Sequence, residues 1–140
     1  TPLDAAQVRA AARFIGEEGV QAVAICFMNS FANPAQEQAA RRIVQEELPD
    51  HYLSVSSEVL PTVRFYNRVS TTVLNAYVGP VLRDYLNNLT SKLDLMGFRG
   101  VLLIMQSNGG VALPDLTLRL PATTLLSGPA VPADRFGVVL

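Results

Sequence analysis

The chain has 140 residues, about one domain's worth, and 49% of them are apolar, with a mean hydropathy of +0.26. Eleven Lys and Arg face twelve Asp and Glu, a net charge of −1, which removes the electrostatic case for nucleic acid or an anionic membrane surface. A single cysteine, Cys26, excludes an intrachain disulfide framework, and no apolar run reaches the ~20 residues that a bilayer requires.

The first twenty residues, "TPLDAAQVRAAARFIGEEGV", predict a helix capped by Asp4 or Thr1 and stopped by Gly19. Val8, Ala11, Ala12 and Ile15 share its apolar face. Ala22 to Met28 are apolar without alternation, which predicts a strand covered on both faces, with Cys26 a buried structural thiol. "NPAQEQAARRIVQEELPD" predicts a second helix: Asn33 as N-cap, Pro34 at the first turn, Gln36 reaching back, and a stripe of Ala40, Ile43, Val44 and Leu48. His51 follows in a surface loop. Leu53, Val55 and Ser57 alternate with serines, as in a less buried strand. This order is a βαβ rhythm, so the two strands should be parallel.

"PTVRFYNRVS" reads as a linker before a long helix at about residues 70–96, which Gly79-Pro80 should kink or split. Val73, Tyr77, Val81, Tyr85, Leu89 and Leu93 form its expected buried face, so the two tyrosines read as core. "VLLIMQSNGG" predicts a third strand of the same sheet, buried from Val101 to Met105, with a polar exit. The remainder is turn-rich, with a helix start near Ser127. The expected class is α/β: a mostly parallel sheet with flanking helices in one unit, residues 1–68 forming a βαβ-type end and 69–140 the long helix, strand and glycine-rich turns. The apolar run "FGVVL" at residues 136–140 suggests a piece of a longer polypeptide.

Ligands of open α/β sheets sit beyond the carboxyl ends of the strands. Ser107, Asn108, Gly109 and Gly110 stand at such an end and are candidate cleft residues, although an ordinary Asn-Gly turn has the same spacing. Ser127 and Gly128 of "LSGPA" offer a second turn toward a ligand, without the lysine of a P-loop. Glu58, Arg64, Tyr66 and Arg68 read either as a substrate-facing loop or as solvated charges around an anchoring tyrosine. No Cys/His/carboxylate spacing suggests a metal site, and no catalytic triad can be built on the one histidine.

Four segments together, "NPAQEQAARRIVQEELP", "LSVSSEVLPTVRFYNRVSTTVLNAYVGP", "GFRGVLLIMQSNGGV" and "PATTLLSGPA", resemble the hydantoinase A/oxoprolinase family, which includes ATP-dependent N-methylhydantoinases, 5-oxoprolinases and acetone carboxylase β subunits. The resemblance covers roughly residues 1–130. It implies part of an actin-like ATPase fold, two ribonuclease-H-like halves with nucleotide between them. It implies an enzyme that uses ATP and Mg²⁺ to open a cyclic amide: phosphorylating the amide oxygen makes a stable lactam carbon electrophilic toward water. A ketone-activating carboxylase subunit is the alternative within the family, and a non-catalytic ligand-binding module the alternative outside it. The resemblance places Ser107, Asn108 and Gly109 in the cleft. It also implies a second hydantoinase-type subunit or a homo-oligomer as partner, no nucleic acid or membrane, and a cytoplasmic location. The family's Asp-Gly-Gly-Thr phosphate motif is absent here, Asn67 stands where the family commonly has Glu, and Pro132 follows "LSGPA". The isolated segment is expected to be inactive and to bind ATP at most weakly.

Overall fold

The structure, a computed structural model, describes residues 2–130. The chain divides into two compact units, Thr1–Pro80 and Val81–Leu140. The division falls inside one helix that supplies residues to both.

In the first unit, helix α1 (Ala5–Glu17) starts where the Asp4 carboxylate accepts the N–H groups of Ala6 and Gln7 at 3.0 and 3.2 Å. Beyond its end Gly19 takes φ +66°, a backbone region that side chains disfavour. Strand β1 (Ala22–Ile25) and strand β2 (Tyr52–Val55) are parallel, in register from Ala22 opposite Tyr52 to Ile25 opposite Val55. Helix α2 (Ala35–Glu47) connects them. Its first N–H, from Ala35, is taken by Asn33 Oδ1 at 3.0 Å, so Asn33 caps as expected although Pro34 is the flanking residue. Ala12, Val23, Ile25, Ala40, Val44, Leu48 and Val55 form the core. Ala11 stays exposed. At Gly16 an added Cβ would sit 2.9 Å from Leu48 Cδ2, so α1 and α2 approach closely there. Arg9 and Arg13 pair with Glu46 and Glu47 across the rim of that contact.

Several expectations need correction. β1 is covered on one face: Val23 and Ile25 are buried while Ala24 is exposed, and Cys26 is half-buried. β2 is the better covered strand. Its Leu53 and Val55 face the core, and its Tyr52 and Ser54 meet the long helix. After Val55 the chain forms a short helix, α3 (Ser56–Val59), and His51 is half-buried rather than on the surface.

The long helix α4 runs from Phe65 to Leu95 and continues through Pro80, so the expected linker is already its first turn. Its buried residues are mixed rather than apolar: Ala76 and Leu86 are buried, but so are polar side chains. Arg68, Thr72 and Asn75 are fully buried, whereas Val73, Tyr77, Val81 and Tyr85 are exposed. The cause is hydrogen bonding. Asn75 Nδ2 donates to Ser54 Oγ at 3.0 Å, and Arg68 is anchored on main-chain carbonyls. A helix oriented by such bonds presents its polar side inward.

In the second unit Gly97, at φ +74°, ends α4, and the Phe98 N–H returns to the Leu93 carbonyl. The expected third strand is short and joins a different sheet. β3 (Ile104–Met105) pairs antiparallel with β4 (Val111–Ala112), Ile104 opposite Ala112 and Met105 opposite Val111. Among the described residues the parallel arrangement is therefore confined to β1 and β2. Val101 and Leu103 are 72% and 50% exposed, so the apolar run is not a buried strand. Helix α5 (Pro114–Arg119), a 3-10 helix (Pro121–Thr124) and the start of α6 (Ser127–Ala130) complete the described chain. The apolar run at 136–140 lies outside the described residues, as does Pro132.

The packing of α4 on β2 can be tested at Gly79, where an added Cβ would lie 2.3 Å from the Tyr52 ring. Gly79→Ala should destabilise the chain by about 1–3 kcal/mol in urea unfolding, and Tyr52→Ala should relieve part of that cost. Equal stability of Gly79→Ala and wild type would contradict the close approach.

Candidate functional site

Two polar clusters stand out, one in each unit. The first lies where β1 and β2 end. Glu37, on α2, is fully buried. Its Oε1 accepts the Ser56 hydroxyl at 2.6 Å and the Phe27 N–H at 2.7 Å, and its Oε2 accepts the Ser57 N–H at 2.9 Å. Burial by itself raises this carboxyl's pKa. The bonds from Ser56, Phe27 and Ser57 outweigh that effect and hold it below the ordinary carboxylate value. Ser30, also buried, lies 3.1 Å from the Ser56 hydroxyl and bonds the Phe27 carbonyl at 3.0 Å.

Arg68 approaches the same backbone from α4. Its Nη2 donates to the carbonyls of Phe27 and Met28, each at 2.6 Å, and its Nη1 to the Thr62 carbonyl at 2.8 Å. The rings of Phe31 and Phe65 each lie 5.5 Å from the guanidinium carbon. The peptide groups of Phe27 are thus held by a buried anion at the N–H and a buried cation at the carbonyl. Arg68 does not face outward as a substrate-binding loop residue. Glu58 is exposed and bonded to Gln38 and Arg41 at 2.9 and 2.8 Å. Arg64 and Tyr66 are exposed, the latter at 81%, and share no contact with Glu58 that would make one site of the four.

The second cluster is the turn Gln106–Gly110 between β3 and β4. Gly109 has φ +79°, a conformation that suits glycine. The Gln106 N–H donates to the Gly110 carbonyl, the Gly109 N–H to the Gln106 carbonyl, and the Gly110 N–H to Asn108 Oδ1. Ser107 faces the opposite way. Its N–H and hydroxyl both donate to the Thr123 carbonyl, at 2.6 and 2.7 Å, and its Oγ accepts the Leu126 N–H at 3.1 Å. Ser107 therefore joins the two candidate turns by fastening "QSNGG" to the start of "LSGPA". Asn108, Gly109 and Gly110 are exposed at the tip, as is Gly128, while Ser127 is half-buried.

The backbone donors of this turn are mostly turned inward. Four of its N–H groups, those of Gln106, Ser107, Gly109 and Gly110, are spent inside the chain, and residues 100–118 hold no Lys or Arg. Among the described residues no group of three His, Cys, Asp or Glu side chains could hold a metal ion. What the turn presents is the carboxamide of Asn108, on a backbone fixed from both sides. Sequence reasoning missed Glu37, Ser30 and Ser56. The usable signal was that Glu37 occupies the N-terminal position of the stripe Ala40, Val44 and Leu48, where an apolar residue would be expected.

Residues 1–48 match the model of the hydantoinase/oxoprolinase N-terminal region, and residues 68–134 match that of hydantoinase/oxoprolinase. The chain is 41% identical over 131 residues to the caprolactamase subunit alpha of Pseudomonas jessenii, covering 93% of this chain and 19% of that one. The crystal structure of ATP-dependent caprolactamase from P. jessenii superposes with a TM-score of 0.86 at 39% identity, covering 93% of this chain and 19% of that one. The nucleotide-free structure of acetone carboxylase does so with a TM-score of 0.79 at 26% identity, covering 92% and 18%. The chain thus spans about a fifth of the length of these relatives, from the 19% and 18% covered.

The buried carboxylate makes a prediction with a definite sign. A depressed folded pKa contributes stability that is complete above the ordinary carboxylate value of about 4.3 and is lost as pH falls through the folded value. Glu37→Gln should cost about 3 kcal/mol near neutral pH, because the charge is lost and the amide nitrogen would point a donor at one or two of the three donors that now converge on the carboxylate. That difference from wild type should stay constant down to about pH 5 and shrink below about pH 4. A difference that persists unchanged in strong acid, read by chemical denaturation at each pH, would refute the ionised role.

Proposed function

Because the chain belongs to the hydantoinase/oxoprolinase family, we propose that it is a segment of an ATP-dependent hydrolase that opens a cyclic amide. The observation that carries this reading is the likeness to caprolactamase, which extends through both units rather than over one motif. The whole protein on this reading is an actin-like ATPase of two ribonuclease-H-like halves, working in the cytoplasm with a second hydantoinase-type subunit. ATP and Mg²⁺ are held by parts of that protein other than the turn at residues 106–110, where the N–H groups of Gln106, Ser107, Gly109 and Gly110 are already committed.

This segment's own contribution is positional. The fixed turn offers Asn108, whose Oδ1 is engaged by Gly110 and whose Nδ2 is left to donate. A donor of that kind can orient a carbonyl oxygen, and orientation alone accounts for large rate factors. Gly109 allows the turn to be tight, and Ser107 keeps it from swinging. The likeness to acetone carboxylase favours a second reading, in which the same segment serves a subunit that activates a ketone.

Phosphate release by the full-length polypeptide with its partner subunit should rise on addition of caprolactam, 5-oxoproline or hydantoin. A response to acetone and bicarbonate alone would favour the carboxylase reading, and no ATP turnover with any of these would overturn both. In the same protein Asn108→Ala should lower turnover by roughly tenfold or more while the melting temperature moves by less than about 2 °C. Unchanged turnover in a stable variant would remove Asn108 from the cleft.

A further inference from the structure

Between Phe65 and Pro80 the helix α4 carries one charged residue, Arg68, and that residue is fully buried. The side of this stretch that faces away from β2 is therefore uncharged, yet it is open. Tyr66 and Tyr77 are 81% and 80% exposed, and Val73 and Leu74 are exposed with them. At 3.6 residues per turn these four fall within roughly 100° of the helix surface, opposite Arg68 and Asn75. We propose that this face is an internal interface, covered in the whole protein by an apolar surface of the same polypeptide that lies outside these 140 residues.

Composition, size and orientation each call for a cover. A helix that ends at water carries charged side chains on its outer face, and this stretch has none there. The two tyrosines alone present on the order of 300 Å², and Val73 and Leu74 bring the patch to the size that marks an interaction surface rather than scattered single residues. Nor can the helix bury the face by rotating. Asn75 is bonded to Ser54, and Arg68 to the carbonyls of Thr62, Phe27 and Met28. Gly79 meets the Tyr52 ring on that same inner side. The chain's own bonds thus commit the tyrosine face outward.

The same features select the occupant. Interfaces that form and part in water keep a polar rim, whereas permanently covered ones are more apolar. A face without charge belongs to the permanent kind, and a cover that never leaves is one joined through the main chain. This chain spans 19% of the caprolactamase subunit alpha of P. jessenii, which leaves about four-fifths of such a polypeptide to supply the cover. That cover must be apolar over Val73 and Leu74 and must bring hydrogen-bond partners to the two tyrosine hydroxyls, since a buried phenol needs one. The inference rests on the proposed function only for the chain being a segment, and not for the reaction.

Hydroxyl-radical footprinting of the full-length polypeptide, purified without a partner subunit, tests this. Tyr66 and Tyr77 should oxidise at least roughly tenfold more slowly than in synthetic peptides of the same sequence, as packed interfaces exclude solvent. The protection should hold over roughly hundredfold dilution and be the same with the partner subunit added, because a covalently joined cover is independent of concentration. Rates equal to those of the peptides overturn the proposal. Protection lost on dilution assigns the face to a second copy, and protection gained only with the partner subunit assigns it to that subunit; either result overturns it. In the same protein Val73→Asp should lower the melting temperature by roughly 5 °C or more, whereas at a site facing water it would move by less than about 1 °C. An unmoved melting temperature overturns the proposal, and if the variant fails to fold the wild-type footprint decides. Lactam-dependent ATP turnover by a protein whose Tyr66 and Tyr77 stay open to solvent would sink this inference and spare the proposed function. Protected tyrosines in a protein that turns over no lactam would do the reverse.

Discussion

The first unit depends on the backbone of one residue. Phe27 follows β1, and its N–H and carbonyl are held by Glu37 from α2 and Arg68 from α4. Through Ser56 and Ser57 the same carboxylate also fixes the end of β2. Neither ion touches the other. Each is compensated by backbone dipoles and, for Arg68, by two aromatic rings. This tie explains why α4 turns a polar stripe inward: its orientation is set by Arg68 and Asn75, whose hydrogen bonds are worth more in a dry interior than the burial that Val73 or Tyr77 would gain.

The local grammar of the chain was readable, and its pairing was less so. The caps at Asp4 and Asn33, the stripe Ala40, Val44 and Leu48, and the parallel βαβ arrangement all follow from spacing and residue type. The long helix was legible as an element but not in its orientation. Hydropathy ranks Val73 and Tyr77 as core, yet hydropathy cannot register that a serine on β2 and carbonyls beyond β1 require donors from α4. The run Val101–Met105 misled for a related reason. A short apolar stretch specifies neither its partner nor its sense, and here only Ile104 and Met105 pair, antiparallel, with a strand a few residues later.

For the candidate sites the lesson is similar. Glycines and a serine in "QSNGG" marked a turn correctly, and Gly109 does take the left-handed conformation. Composition could not show that the N–H groups of the turn close on the chain itself, which separates a phosphate cradle from a rigid support for one carboxamide. Arg68 was conspicuous in sequence as a charge near Glu58, yet it lies wholly inside. Glu37 attracted no notice because a glutamate in the first turn of a helix is ordinary; its place on the apolar stripe hinted at burial, and the three donors converging on it reveal its role.

The contact between Gly79 and Tyr52 also constrains how the chain can change over evolutionary time. The aromatic ring already fills the volume that a methyl at position 79 would need, so the two sites are historically ordered. A lineage that first shrinks residue 52, forfeiting its ring against the helix, makes room for residue 79 to grow. The direct path, enlarging the glycine first, passes through a chain weakened by a strained seat of helix on strand, and descent along that path is disfavoured.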